Sequence, residues 1–281
     1  MTEITFFRSL LTQSVNAAIR AGAAIMEIYN RNEECKVERL KSDKTPLIAA
    51  DRAAHIAIKE ALGKSRIPIL SEEGREMEYH ERQSWEMFWL VDPLDGTVEF
   101  INRSGEFTVN IALIYNGEVV SSVIYAPSLR RLHFAGVRYG AYRLDDVAAV
   151  ADSRLTYHTI MASAVRLPIV TQCNDRQRVA VTRSHKNSAT YEHLDRLRSE
   201  GCDFDVIEQG SSYKFCLLAE GVVDYYVRTS DTYEWDTAAG SLILSEAGGV
   251  VTALGGGDFG FNRADLRNPH FFAKSAKSLI D

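Results

Sequence analysis

The run Met87-Phe88-Trp89-Leu90-Val91-Asp92-Pro93-Leu94-Asp95-Gly96-Thr97 decides how this chain is read. An apolar stretch of strand length stops abruptly at a turn that packs two carboxylates, a proline, a glycine and a hydroxyl together. Carboxylates this close repel each other, and a hard divalent cation between Asp92 and Asp95 would offset the repulsion. With oxygen donors only and no His or Cys nearby, Mg²⁺ is favoured over Zn²⁺. Upstream, the apolar run from Ile67 to Leu70 ends in Ser71-Glu72-Glu73-Gly74, so a second strand also delivers acids to its end. Downstream, Glu234-Trp235-Asp236-Thr237-Ala238-Ala239-Gly240 puts Asp236 at a predicted helix start, where a carboxylate also serves as an ordinary cap.

Working outward, apolar residues at helical spacing from Ile4 to about Tyr29, with Gly22 on the same stripe, predict a long amphipathic helix that covers a sheet. A second helix is expected to start at Thr45 as N-cap and Pro46 as first residue and to run to about Leu62, with Asp51 early on it. Phe107 to Tyr115 and Glu118 to Tyr125 flank Asn116-Gly117, a strong hairpin signal, and short strands continue to about Arg143. The stretch from Leu144 to Ala164 shows no clear period and suggests a division into halves, 1–145 and 146–281. Beyond it, predicted strands at 179–182, 205–208, 223–227 and 250–253 alternate with helices at 188–199, 212–219 and 235–247, an α/β pattern. His55 and Lys59 read as solvent-facing, and Trp85 and Trp89 as packing residues.

The 281 residues are 46% hydrophobic and 25% charged, with a formal net charge of −6. That balance excludes a disordered or collagen-like chain, and the charge offers no global attraction for a nucleic-acid polymer or an anionic membrane. Arg20 and Glu27 break the N-terminal apolar stretch, which argues against a signal peptide or a membrane span. The four cysteines, Cys35, Cys173, Cys202 and Cys216, are far apart and read as reduced thiols, consistent with a cytoplasmic location.

The acidic pair, the D-P-x-D-G-[ST] turn and the later W-D-x-A occur here in that order. Together they make the sequence similar to the lithium-sensitive, magnesium-dependent phosphomonoesterases of the inositol monophosphatase and fructose-1,6-bisphosphatase superfamily, over nearly the whole chain. The resemblance implies an α+β or α/β fold built as a layered αβαβα sandwich of helices and sheets. It implies that Glu72, Asp92 and the Leu94 carbonyl hold one Mg²⁺, that Asp92 bridges to a second, and that Asp95 and Asp236 complete that second site. Gly96 and Thr97 would contact the phosphate, and Glu72 with Thr97 would position the attacking water. Asp43, in a K-x-D-x-[ST]-P segment, is implied as an accessory group near proton transfer or a third, weaker metal.

Within the superfamily the chain looks most like the 3′(2′),5′-bisphosphate nucleotidase branch. The segments carrying that likeness are Thr182-Arg183-Ser184-His185, Gly210-Ser211-Ser212-Tyr213-Lys214-Phe215, and Glu234 before Trp235-Asp236. By resemblance, Thr182 and His185 would line the nucleoside, while Gly210, Ser212 and Lys214 approach the ribose and second phosphate. A phosphate remote from the metals needs its own cations, and Lys214 and Arg228 are the candidates, although a lysine on an apolar helix also suits a snorkelling surface role. The implied substrate is 3′-phosphoadenosine 5′-phosphate, with a place in sulfur assimilation or nucleotide recycling. An inositol or sugar monophosphatase and a non-catalytic phosphometabolite-binding protein are the alternatives. The oligomeric state and any peripheral contact with the inner membrane stay open at this point. Asn268-Pro269 resembles a segment of the nucleotidase branch and acquires no chemical role.

Overall fold

Gly22 shows how the first helix meets the first sheet. A Cβ at this position would run into the Tyr125 ring, so only glycine lets helix and sheet approach so closely. The computed structural model describes residues 3–31, 39–40, 46–171, 176–184, 186–256 and 259–280. Helix α1 (Glu3–Tyr29) buries Leu10, Leu11, Val15, Ala18, Ile19 and Ile25, the stripe its period predicts. A two-residue pair follows, β1 (Arg39–Leu40) and β2 (Pro46–Leu47), and then α2 (Ala49–Leu62), which packs on α1.

The second helix thus begins later than the Pro46 start expected from sequence. Pro46 is extended, and the helix is opened by Ile48, whose N–H donates to Asp51 Oδ2 at 2.7 Å. An acid in the first turn serves the exposed helix amides in place of the expected Thr45, which lies outside the described residues.

The chain continues through β3 (Ile69–Ser71), α3 (Tyr79–Arg82), β4 (Met87–Asp95), α4 (Thr97–Ile101), β5 (Thr108–Tyr115), β6 (Glu118–Ala126), β7 (Arg131–Gly136), β8 (Gly140–Leu144), α5 (Tyr157–Ala162) and β9 (Val165–Arg166). These strands form a seven-stranded sheet in the order β3-β4-β5-β6-β7-β8-β9, with β3 and β4 parallel and the other neighbours antiparallel. Asn116 and Gly117 turn the β5–β6 hairpin with φ of 51° and 81°, the left-handed pair such a tight turn needs. Strand β4 outruns its apolar stretch: pairing with β5 resumes at Asp95 after a register shift between Asp92 and Asp95. Pro93, which lacks an N–H for the ladder, sits in that irregularity.

The remaining elements are β10 (Gln177–Thr182), α6 (Ser188–Ser199), β11 (Phe204–Gln209), α7 (Tyr213–Glu220), β12 (Tyr225–Arg228), α8 (Glu234–Glu246), β13 (Val250–Ala253) and β14 (Phe271–Lys274). They build a five-stranded sheet in the order β11-β10-β12-β14-β13. The first sheet ends at Arg166 and the second starts at Gln177, past the residue-145 division drawn from sequence.

The layers follow from which residues pack together. One face of the large sheet meets α1 and α2; its other face shares a core with α7, α8, Tyr226, Phe271 and Ala273 of the small sheet. The small sheet's far face packs on Leu194 and Leu197 of α6. The order is therefore αβαβα, as the resemblance implies. Strand β5 is buried along nearly its whole length because both faces are covered, which explains its near-continuous apolar sequence. Among the described residues, no helix is long and apolar enough to cross a membrane.

Candidate active site

Parallel pairing of β3 with β4 brings two acidic strand ends side by side. The Glu72 N–H extends that ladder by donating to Val91 O at 3.1 Å, placing Glu72 next to the Asp92 turn. Asp92 is 1% exposed, and its Oδ1 accepts the Leu94 N–H at 3.0 Å, an Asx-type closure two residues on. Gly96 has φ of 92°, and a Cβ there would lie 2.9 Å from Glu106 O. Thr97 opens α4, and its hydroxyl reaches Asp51 Oδ1 at a long 3.4 Å.

Asp236 arrives from the other half, on the first turn of α8, where its Oδ2 accepts the Tyr233 N–H at 2.8 Å. It is both a cap and a site residue. Glu72, Asp92, Asp95 and Asp236 line one cavity of about 280 Å³, with the Leu94 segment and Thr97 also in its wall. Burial, then the neighbouring Asp95 and Glu72 carboxylates, push the Asp236 carboxyl well above the ordinary aspartate range.

Among the described residues, no group of three or more His, Cys, Asp or Glu side chains is drawn together as a ready metal cage. The carboxylates instead hold nearby backbone: besides the Asp92 and Asp236 bonds, Asp95 Oδ2 accepts the Ser212 N–H at 2.5 Å. Their chemistry nevertheless fits a hard cation. All donors are oxygens, and the repulsion raising the Asp236 proton affinity is the repulsion a divalent ion would remove.

The small sheet and its loops supply further lining of the same cavity. Thr182 ends β10 there, beside Ser212, Lys214 and Arg228. Ser212 Oγ donates to Asn110 Oδ1 at 2.7 Å, which ties the start of α7 to β5. Lys214 is no snorkelling surface lysine. It is 2% exposed, donates to Gln209 O at 3.0 Å and Ser211 O at 2.6 Å, and stands 5.1 Å from the Tyr226 ring centroid. Burial is the main cause that brings its pKa down to about 8, helped by Arg228 and opposed by Asp95, Glu99 and Glu106. Arg228 donates to Ser230 O at 3.2 Å and Asp231 O at 3.1 Å.

Other residues singled out in the sequence do not line the cavity or lie outside the described residues. Gly210 is buried outside the cavity wall, where a Cβ would lie 2.5 Å from Glu99 Cγ. Glu234 is fully buried and accepts from the Asn262 and Arg263 amides at 2.7 and 2.9 Å, so it anchors a loop instead of facing the cavity. His55 is half-buried, with Nδ1 2.9 Å from Ser71 Oγ, supporting the strand end that carries Glu72. Asp43 and His185 lie outside the described residues.

Sequence reasoning also missed partners. Asp51 gains its place beside Thr97 only through folding, and Asn268 donates to Thr232 Oγ1, Tyr233 O and Thr237 Oγ1 around the start of α8. The S/T-rich entry to that helix was the available signal for Asn268.

Comparison with known proteins agrees with this architecture. A sequence model described as "Inositol monophosphatase family" matches residues 8–280. The chain is 38% identical to the 3′(2′),5′-bisphosphate nucleotidase CysQ of Salmonella typhimurium, across 93% of this chain and 98% of the relative. It is 36% identical to the CysQ of Buchnera aphidicola, across 98% and 100%. The crystal structure of CysQ from Bacteroides thetaiotaomicron superposes with a TM-score of 0.88 at 38% identity, covering 98% of this chain and all of that one. The SuhB protein of Bartonella henselae superposes at 0.72 with 26% identity, covering 95% and 94%.

Proposed function

The chain belongs to the inositol monophosphatase family, and from that premise we propose that it is a Mg²⁺-dependent 3′(2′),5′-bisphosphate nucleotidase. Its substrate in this reading is 3′-phosphoadenosine 5′-phosphate, hydrolysed to AMP and phosphate. The observation that carries the reading is one cavity lined both by four carboxylates, Glu72, Asp92, Asp95 and Asp236, and by two cations, Lys214 and Arg228. Such a cavity suits a substrate with one phosphate to cleave and a second to hold. The names of the CysQ relatives support the same substrate class.

Glu72, Asp92, the Leu94 carbonyl, Asp95 and Asp236 are the groups that would hold two Mg²⁺. Bound there, Mg²⁺ supplies Lewis-acid stabilisation of charge on the phosphoryl and leaving oxygens and acidifies water. The residues' own work is positional. The Thr97 hydroxyl donates its proton to Asp51, which leaves its lone pairs to accept from a water, and Glu72 accepts that water's other proton. The water oxygen bonds to phosphorus in line with the departing ribose oxygen, the P–O3′ bond breaks, and the 3′-oxygen takes up a proton from solvent water while Glu72 returns its own to solvent. Gly96 and Thr97 hold the transferring phosphate, and Thr182, Ser212, Lys214 and Arg228 hold the rest of the nucleotide.

One observation favours the second reading, an inositol or sugar monophosphatase: both Lys214 and Arg228 already donate to carbonyls of their own loops. Phosphate release with Mg²⁺ from 3′-phosphoadenosine 5′-phosphate, inositol 1-phosphate and fructose 1,6-bisphosphate decides between them. A higher kcat/KM for the nucleotide supports the proposal, and preference for either sugar phosphate replaces it with the second reading.

A further inference from the structure

Glu106 lies in the loop between α4 and β5, outside the cavity wall, yet two distant segments meet on its carboxylate. Its Oε2 accepts from Arg183 Nε and from the Gly210 N–H, both at 2.8 Å, and its Oε1 accepts from Arg183 Nη2 at 2.8 Å. Arg183 Nη2 also donates to Glu208 O at 2.8 Å. On α4, the buried Glu99 accepts the Ser184 hydroxyl at 2.5 Å. Two acids of the first half therefore grip the two strand ends, after β10 and after β11, that form the substrate side of the cleft.

The gripped loop needs outside support. Ser211 has φ of 52°, an unfavourable region for a residue with a side chain, and the adjoining Gly210 leaves no room for a Cβ against Glu99. The same loop delivers the Ser212 N–H to Asp95 and receives both Lys214 bonds. We infer that Glu106, bound to Arg183 and Gly210, is a specificity-determining positioning residue: it sets the 209–212 loop and the 182–184 segment at the spacing that reads the part of the substrate remote from the cleaved phosphate. Arg183, in the segment that suggests nucleotide binding, is spent on this clasp and is not a phosphate ligand. The inference rests on the proposed function for the identity of the substrate, but not for the clasp itself.

The test compares wild type with Glu106→Ala, Glu106→Gln, Arg183→Ala and the double alanine variant. Hydrogen–deuterium exchange without substrate is read at residues 206–214. Steady-state kinetics use 3′-phosphoadenosine 5′-phosphate and inositol 1-phosphate. Glu106→Ala speeds exchange of 206–214 and raises KM for the nucleotide about tenfold, the low end for a bond to a charged group because Arg183 is partly exposed, with kcat nearly unchanged. Glu106→Gln recovers part of the KM, since its amide oxygen still accepts the Gly210 N–H while the charge facing Arg183 is lost. The double variant is no worse than Glu106→Ala alone, as expected for two residues acting as one unit. Unchanged exchange overturns the clasp. Parallel losses of kcat and kcat/KM on both substrates, with a lowered Tm, reduce Glu106 to a structural residue and also overturn it. Should wild type prefer inositol 1-phosphate, the nucleotidase reading falls, whereas the exchange data and the KM-against-kcat split on the preferred substrate still decide the clasp.

Discussion

Lys214 is a buried cation at a cost, and the cost can be read as a pH dependence of stability. In the unfolded chain its ammonium titrates near 10.5, while burial in the fold brings it to about 8. Holding it charged at neutral pH therefore works against folding by about 3 kcal/mol. The sign follows from proton counting: between the two values the unfolded chain binds more protons, so stability rises with pH across that window and falls as pH drops through the folded value. From about pH 7 to pH 9.5 the expected gain from this residue is about 2 kcal/mol. Tyr213 and Tyr226, both raised to about 12 by burial, act in the opposite direction as pH climbs, because the unfolded phenols ionise first. They are common to wild type and Lys214→Met, so the difference between the two proteins isolates the lysine. Urea unfolding in the presence of a chelator at the two pH values measures it. Wild type should gain about 2 kcal/mol more than the variant between those pH values. Parallel behaviour would show that Lys214 keeps an ordinary ammonium, and the account of a desolvated cation held by Gln209 O and Ser211 O would fail.

Three further outcomes are expected. Asp236→Asn should abolish turnover yet leave the metal-free protein as stable or more stable: the raised carboxyl favours folding when protonated and loses that contribution as pH rises through its folded value, whereas the amide has nothing to lose. Thermal melts with chelator and with Mg²⁺ check this, and a large drop of Tm in chelator would contradict it. Gly22→Ala should destabilise the fold by about 1–3 kcal/mol through collision with the Tyr125 ring, leaving KM unchanged in the folded protein. Asn268→Ala removes the side chain bound to Thr232, Tyr233 and Thr237, so about 1–2 kcal/mol of stability and some apparent Mg²⁺ affinity should be lost together; an unaltered Mg²⁺ titration would separate the cap from the Asp236 position.

What could be read from the sequence depended on whether a residue's meaning was local. The β5–β6 hairpin was legible because Asn116-Gly117 carries its own backbone requirement, and helix α6 because its period and ends coincide in sequence. Glu72, Asp92 and Asp95 were legible as acids ending apolar strands. Asp51 was placed on its helix but given no task, since the Thr97 hydroxyl it meets is 46 residues away. Glu106 looked like any loop acid because its Gly210 partner is 104 residues distant. Helix α5 and strand β14 went unread: α5 is short and buries only Ile160, and β14 is a four-residue strand stabilised by pairing on both sides with β12 and β13. The same dependence on distant partners explains Lys214, whose apolar helix gave no hint that the ammonium folds back onto the loop before it.

Asp236 adds a consequence for how the site assembles. It comes from the second half, yet α8 packs mainly against β4, β5, β6, β7 and β8 of the first sheet, in the core the two sheets share. Its carboxylate therefore reaches Asp95 and Glu72 only when that shared core is formed. In the absence of a cation, burial of Asp236 and then its repulsion by Asp95 and Glu72 oppose the approach, and together they raise its carboxyl. A divalent ion that binds the closed arrangement and not the open one shifts the balance toward closure by mass action, by about 3 kcal/mol at a hundred times its Kd. Ion binding and docking of the two sheets would then be linked equilibria, and the 209–212 loop touches both ends of that link, through Gly210 on Glu106 and through the Ser212 amide on Asp95.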